Sequence, residues 1–351
     1  MSTIKVNKIE NTNTTAGGVA IDSSGHVQVD GLQMPSAGAL FARNKIINGS
    51  MEVAQRGTSS TANGYVSLDR WYVNQSGGST TFSQETFAAG SELDSLKNYA
   101  KLAVSTSSDY TSIRQRIEDV RTVPAGSITV SFWAKGTAPS GDLSVFFSQS
   151  FGSGGSTEVD GTPQTVTLTS TWQRFSLTFT VPSISGKTIG TGSFFQIAVG
   201  QHTNTGTTAW ELDITGVQLE VGEKATPFEH RSYGDELARC QRYYEAYSLQ
   251  GYAFVGNSYS STQAIVPLHW NVQKRAIPTM TLPPVGINSG EVALTASNAS
   301  YATTRGTHTL NGRSPSYGEL SANSYGGLTS GGICMLYAAG TTCFLTLDAE
   351  L

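Results

Sequence analysis

The feature that most constrains this chain is a regular succession of short β-type runs, broken by Gly- and Ser-bearing turns, from Arg43 to about Phe228. Leu68 to Val73, Tyr99 to Val104, Ser112 to Ile117, Ile128 to Ala134, Leu143 to Phe147, Gln164 to Leu168, Arg174 to Val181, Phe194 to Val199 and Trp210 to Val221 follow one another at even spacing. Nine or so strands in one block predict a two-sheet sandwich. Arg174 to Phe179 shows the alternation of such a strand, with Phe175, Leu177 and Phe179 on one face and Ser176 and Thr178 on the other. The composition agrees: 38 glycines and only 14% charged residues suit many short strands joined by tight turns.

A chain of 351 residues is too long for one ordinary core, and four segments are expected. Residues 1–42 alternate weakly through Ile4, Val6, Ile9, Val19, Ile21, Val27 and Val29, too few apolar side chains for a core of their own. Intertwining with identical chains would supply the missing face. Met34 to Gly38 reads as a linker, and 43–231 is the sandwich. Residues 232–250 hold a helix beginning near Asp235, a plausible cap, in GDELARCQRYYEAYS. Tyr233, Leu237, Cys240, Tyr244 and Tyr247 are spaced 4, 3, 4, 3, a coiled-coil seam. A connector lying on the sandwich and a helical interface at an oligomer axis both fit two heptads. Residues 251–351 return to strands at Tyr252 to Val255, Gln263 to Trp270, Thr279 to Leu282, Ile333 to Tyr337 and Phe344 to Leu347. Between them, Ile287 to Gly332 is polar enough to stay on the surface as a loop-rich tip.

Several function classes are disfavoured. A net charge of −4, from 22 basic and 26 acidic residues, provides no field to hold nucleic acid or anionic lipid. No run of 18 apolar residues appears, so no membrane insertion is expected. MSTIKVNKIENTNTT lacks the apolar core of a secretory signal, so synthesis in the cytoplasm is expected. Cys240, Cys334 and Cys343 are too few for a disulfide framework. Cys334 and Cys343 flank a hairpin-turn signal, Tyr337 to Gly340, and face each other only if its loop has four residues; reduced, buried thiols are the other reading. His26, His202, His230, His269 and His308 stand at no zinc-ligand spacing, and no G-x-S-x-G elbow occurs. Gly186-Lys187-Thr188 reads as a turn.

Three stretches carry more than composition. Asn48 to Glu52, Leu68-Asp69-Arg70-Trp71, Ile128 to Gly136, Trp172 to Phe175 and Trp210 to Ile214, in that order, resemble the jelly-roll carbohydrate-binding modules of bacterial glycanases. Thr226-Pro227-Phe228-Glu229-His230-Arg231-Ser232-Tyr233-Gly234-Asp235-Glu236-Leu237 with Cys240 to Glu245 resembles a junction of bacteriophage tail-fibre and virion structural proteins. Lys274 to Thr279 and the terminal Leu347 to Leu351 are similar to the C-terminal domains of the same proteins. The resemblance implies a mainly β fold: jelly-roll sandwich, short connecting helix, C-terminal β tip and extended N-terminal segment, assembled as a homotrimer. It further implies a non-catalytic tail fibre in the virion, held to tail or baseplate proteins through its N-terminus and meeting host-surface polysaccharide at its far end. A depolymerase tailspike and a head or capsid decoration protein are the alternatives.

Candidate sites follow. Exposed rings that stack on pyranoses and a guanidinium for bidentate bonding point to Tyr301, Arg313, Tyr317 and Tyr325 in the tip. Trp71, Trp133, Trp172 and Trp210 read as core fillers, and Trp270 is ambiguous. No cofactor is required. The related modules often hold a structural calcium, and Glu52 and Asp213 match those positions, although solvated or salt-bridged surface acids are the more ordinary reading.

Overall fold

The computed structural model describes residues 8–10, 18–21, 27–29, 32–33 and 43–351, apart from positions 92, 94, 107–109, 138–141, 203–208, 287, 289–290, 297–305 and 340–342. The linker Met34 to Gly38 and the contact candidate Tyr301 lie outside the described residues. The fold is mainly β and divides into two compact units, 1–232 with residue 351, and 233–350.

Near the N-terminus, β1 (Lys8–Glu10), β2 (Gly18–Ile21), β3 (Val27–Val29) and β4 (Leu32–Gln33) form an antiparallel meander in sequence order. Val19, Ile21 and Val27 are exposed on it.

The sandwich is built from β5 (Ser59–Ser60), β6 (Gly64–Tyr65), β7 (Tyr72–Ser76), β8 (Ser79–Thr86), β9 (Asn98–Thr106), β10 (Tyr110–Glu118), β11 (Gly126–Thr137), β12 (Asp142–Ser150), β13 (Val159–Asp160), β14 (Gln164–Thr167), β15 (Gln173–Val181), β16 (Phe194–Gly200) and β17 (Trp210–Val221). One sheet has the order β13-β12-β16-β10-β7-β6, with β14 also on β12, and the other β15-β11-β17-β9-β8-β5. Every pairing in both is antiparallel. Side chains that alternate inward, among them Val73, Ile113, Val145, Phe147 and Ile197 from the first sheet and Leu102, Val130, Phe132, Phe179 and Leu212 from the second, close one core with Trp71 and Trp210.

Two expectations change here. Leu68 to Trp71 is a tight turn rather than part of a strand, with Arg70 in the left-handed region at φ 71°. Trp133 and Trp172 are only partly buried and do not belong to the core. Phe132 and Ala134 both face inward on β11, so Trp133 must face out. Its register with β17 shifts at that point, and Gly216, at φ +60°, lies so close that a Cβ there would come within 3.2 Å of Trp133 Cδ1.

The stretches that carry the resemblance are mostly structural clamps. Asn48 Nδ2 donates to the carbonyls of Val53 and Asp69 at 2.8 and 3.0 Å, its Oδ1 accepts from Val53 N at 3.0 Å, and Trp71 Nε1 donates to its carbonyl at 3.0 Å. Arg231 donates to the carbonyls of Ile46 and Asn44 at 2.9 and 2.6 Å, which ties the end of the first unit back to its beginning.

In the second unit α1 (Tyr233–Gln241) precedes β18 (Tyr244–Ser248), β19 (Gly251–Ser258), β20 (Ala264–His269), β21 (Thr279–Thr281), β22 (Glu291–Ala296), β23 (Thr307–Gly312), β24 (Tyr317–Asn323), β25 (Ile333–Ala339) and β26 (Phe344–Asp348). The orders are β18-β26-β21 and β22-β25-β19-β20-β24-β23. The coiled-coil seam does not form. The helix stops at Gln241, and Tyr244 and Tyr247 lie on a strand whose backbone groups are taken by β26. Cys240 and Tyr244 are buried, whereas Tyr233 is exposed and Leu237 partly so. Asp235 sits inside the first turn, 3.4 Å from Arg239. The tip expected as surface loop between Ile287 and Gly332 instead supplies β22, β23 and β24. Cys334 and Cys343 belong to strands or strand edges of different sheets, and all three cysteines are buried thiols outside any disulfide.

Tyr325 stacks on His308 with centroids 5.5 Å apart, and its hydroxyl lies 2.5 Å from His308 Nε2. Burial pushes the His308 imidazole down to about 4. The unfolded chain therefore takes up the proton first, near pH 6.5, and stability is full above that value and lost as pH falls toward 4. Calorimetry between pH 7 and 4 should show the second unit losing about 3 kcal/mol from this residue. In His308→Gln that loss should largely disappear; an equal acid loss in the variant would refute the assignment.

Candidate functional site

Strand alternation turns one set of side chains of the seven-stranded sheet away from the core, and register decides which of them meet. Phe146 on β12, Ala198 on β16, Arg114 on β10 and Tyr72 on β7 form one row. Ser144, Gly200, Ser112 and Asn74 form the next, and Ser148, Gln196 and Arg116 lie on the other side. Phe194 stands opposite Glu118 beyond these. The row from Phe146 to Tyr72 crosses three inter-strand steps, about 14 Å. Small residues on the inner strands, Ala198, Gly200 and Ser112, lie between large ones on the flanks.

The two arginines pack on rings. The Arg114 guanidinium lies 5.7 Å from the Phe146 centroid, and that of Arg116 lies 4.8 Å from both Tyr72 and Phe194. Arg114 Nε donates to Ser112 Oγ at 3.0 Å, and Arg116 Nε to Gln196 Oε1 at 3.5 Å. His202 meets Phe146 edge-on at 4.5 Å. Burial pushes the Arg114 guanidinium down from its ordinary value. Among the described residues Arg114 has no carboxylate within ion-pair distance, whereas Arg116 Nη1 donates to the Leu351 oxygen at 2.5 Å.

The outer face of the six-stranded sheet is different in kind. Lys135, Asp213 and Lys101 stand in one row, with Lys135 Nζ 3.6 Å from Asp213 Oδ2 and Lys101 Nζ 2.9 Å from Glu211 Oε2. Phe87, Tyr99 and Trp172 cluster beside them with centroids 4.9 to 5.4 Å apart, and Lys135 lies 5.2 Å from the Trp172 ring. Here each cation has an anion beside it, so the charges brace the sheet. Burial raises the Asp213 carboxyl, against the pull of Lys101 and Lys135.

That arrangement bears on the calcium positions. Asp213 is flanked by ammonium groups where a hard cation needs oxygens. Glu52 lines a shallow cavity of about 380 Å³ with Phe87, Ser91 and Lys97. No cluster of three or more metal-ligating side chains forms among the described residues.

The tip candidates do not assemble. Arg313 and Tyr317 border the turn that joins β23 to β24, and Arg313 is ion-paired with Glu319. Tyr317 is half exposed, its ring 6.4 Å from His269. Tyr325 lies past the other end of β24, about 20 Å away along a seven-residue strand. Its side chain is buried, contrary to the exposed contact expected, because it fills the core beside His308. Sequence reasoning missed Tyr72, Arg114, Arg116, Phe146 and Phe194. The available signal was Ile113-Arg114-Gln115-Arg116-Ile117, whose alternation sends both arginines to one face.

Fold and site together define a mainly β protein whose first unit is an antiparallel sandwich with one cationic, ring-lined outer face. No family model matches the chain, and no curated protein matches it. Among solved structures it is similar to the N-terminal cellulose-binding domain of a Cellulomonas fimi β-1,4-glucanase, with a TM-score of 0.30 and 14% identity over 49% of this chain and 100% of that one. A family 11 carbohydrate-binding module from Clostridium thermocellum gives 0.29 and 14% over 49% and 98%. The enzymatically active domain of tailspike protein 4 of bacteriophage CBA120 gives 0.31 and 14% over 51% of this chain and 21% of that one. Identities this low transfer neither ligand nor role to particular residues.

Proposed function

We propose that this chain is a non-catalytic, glycan-binding structural protein of a phage virion, a tail fibre that holds host-surface polysaccharide on the outer face of its seven-stranded sheet. The observation that carries the reading is the row Phe146, Ala198, Arg114, Tyr72 with Gln196 and Arg116 beside it. Sugars need flat apolar surface for their C–H faces and fixed donors for their hydroxyls, and this face supplies both. The phage setting is supported by the sequence resemblance of the junction and C-terminal stretches.

Affinity electrophoresis in gels cast with host capsular or lipopolysaccharide tests the reading. The wild-type chain should be retarded, and Tyr72→Ala should weaken binding about tenfold through loss of a ring platform. Unchanged retardation in the variant would place the glycan elsewhere. Release of new reducing ends from the same polysaccharide would favour a depolymerase instead.

The trimeric part of the proposal is supported by the second unit. Val255, Ile265 and Ile333 share one face of its six-stranded sheet, with Val255 62% and Ile333 53% exposed. Light scattering should give three times the chain mass, and a Val255→Glu/Ile333→Lys double variant should fall to one. A wild-type monomer would remove this part.

A further inference from the structure

Arg114 is more than a donor to a sugar hydroxyl. Its Nε is held by Ser112 Oγ at 3.0 Å, and its plane is backed by the Phe146 ring at 5.7 Å. Both contacts orient the guanidinium and leave its two Nη groups without a partner among the described residues. Arg116 stands two residues away on the same face and opposes it; Tyr110, Tyr72 and the exposed Glu158 favour the cation, and among the described residues no carboxylate is paired with it. Burial adds a cost to holding the cation there, visible in its lowered pKa.

A neutral glycan would bury this cation further and return only hydroxyl bonds, which are weaker than bonds between ions. A carboxylate would supply the missing anion and match the planar fork through two parallel N–H···O bonds. The contrast within the sandwich is direct. On the opposite face Lys101 and Lys135 have Glu211 and Asp213 beside them, and in the second unit Arg313 has Glu319.

Resting on the glycan-binding reading above, we propose that the bound polysaccharide is acidic, and that the Arg114 guanidinium receives the carboxylate of a uronic acid residue. The half-buried Tyr72 flanks that residue in the same row and provides a platform for a neighbouring ring, while the buried Phe146 backs the guanidinium.

The full chain would be titrated calorimetrically with oligosaccharides of galacturonate, alginate and hyaluronate, each beside its carboxyl-reduced counterpart. At least one acidic form should bind, its reduced form should bind tenfold or more weakly, and affinity for the acid should fall as salt rises. Arg114→Gln should lose tenfold or more for the acid and remove the preference over the reduced form. Arg114→Lys should keep part of it, since charge remains without the fork. Circular dichroism of each variant separates loss of contact from loss of fold. Equal affinity for acidic and reduced forms, or an equal loss for both in Arg114→Gln, overturns the acidic assignment and leaves the glycan site standing. Binding of reduced forms alone does the same. No binding of any of them, by a chain that is still retarded by host polysaccharide, also overturns the assignment; absence of retardation as well removes both.

Discussion

Asn48→Ala should lower the stability of the sandwich by about 3 kcal/mol. Asn48 is fully buried and holds φ 57°, a left-handed conformation that costs alanine about 1 kcal/mol. Its side chain bonds the Val53 N–H and the Val53 and Asp69 carbonyls; the Val53 carbonyl keeps the Asp69 N–H at 3.0 Å, while the Val53 N–H and the Asp69 carbonyl each lose this partner at about 1 kcal/mol or more. Because Trp71 Nε1 donates to the Asn48 backbone carbonyl, the loss also loosens the turn from Leu68 to Trp71 and the core indole it carries. Asn48→Gly should be milder than alanine by about 1 kcal/mol, since it relieves the backbone and restores none of the bonds. Differential scanning calorimetry should show the sandwich transition moving down while that of the second unit stays. A loss below about 1 kcal/mol would mean that the two turns hold without the side chain.

Lys274→Met should cost the second unit about 3–5 kcal/mol. Lys274 and Glu245 form an ion pair with side-chain exposures of 0% and 1%, and burial pushes the lysine down from its usual range against the pull of Glu245. Lys274 Nζ also donates to the Val272 carbonyl at 2.9 Å, and Asn271 Nδ2 donates to the other carboxylate oxygen at 2.7 Å. Removing the lysine strands a buried carboxylate with only neutral neighbours, Asn271 and Tyr247. Removing both charges does not, so Lys274→Met/Glu245→Leu should regain most of the loss. Urea titration of the four species closes the cycle, and a double variant as unstable as the single one would show that the pair serves shape rather than charge.

Arg275, next in the chain after Lys274, donates to the Ala349 and Glu350 carbonyls at 2.9 Å each. These residues clasp one another, a structural task that is silent about a ligand. Asn48, Trp71 and Arg231 are of the same kind.

Strand positions with strong alternation were legible: Trp210 to Val221 and Arg174 to Val181 match β17 and β15 closely. β8 escaped notice because STTFSQET has one large apolar residue, Phe82, and β23 and β24 escaped because their inward residues are small or scattered among polar ones. Such segments become strands when neighbours take their backbone N–H and C=O groups, an influence outside the local pattern. The helical seam failed for the same reason. Tyr244 and Tyr247 keep the spacing of a heptad, yet β26 offers them a ladder.

By itself the sequence determined a mainly β chain, a sandwich beginning at Arg43, and a strand on which Arg114 and Arg116 turn away from Ile113 and Ile117, since period-two patterning is local. Only the tertiary structure decided that Phe146, Tyr72 and Phe194 stand beside those arginines while Asp213 and Glu211 stand on the other sheet. Partners across a ladder come from strands far apart in the chain, and register, which sets them, follows from how the whole core closes.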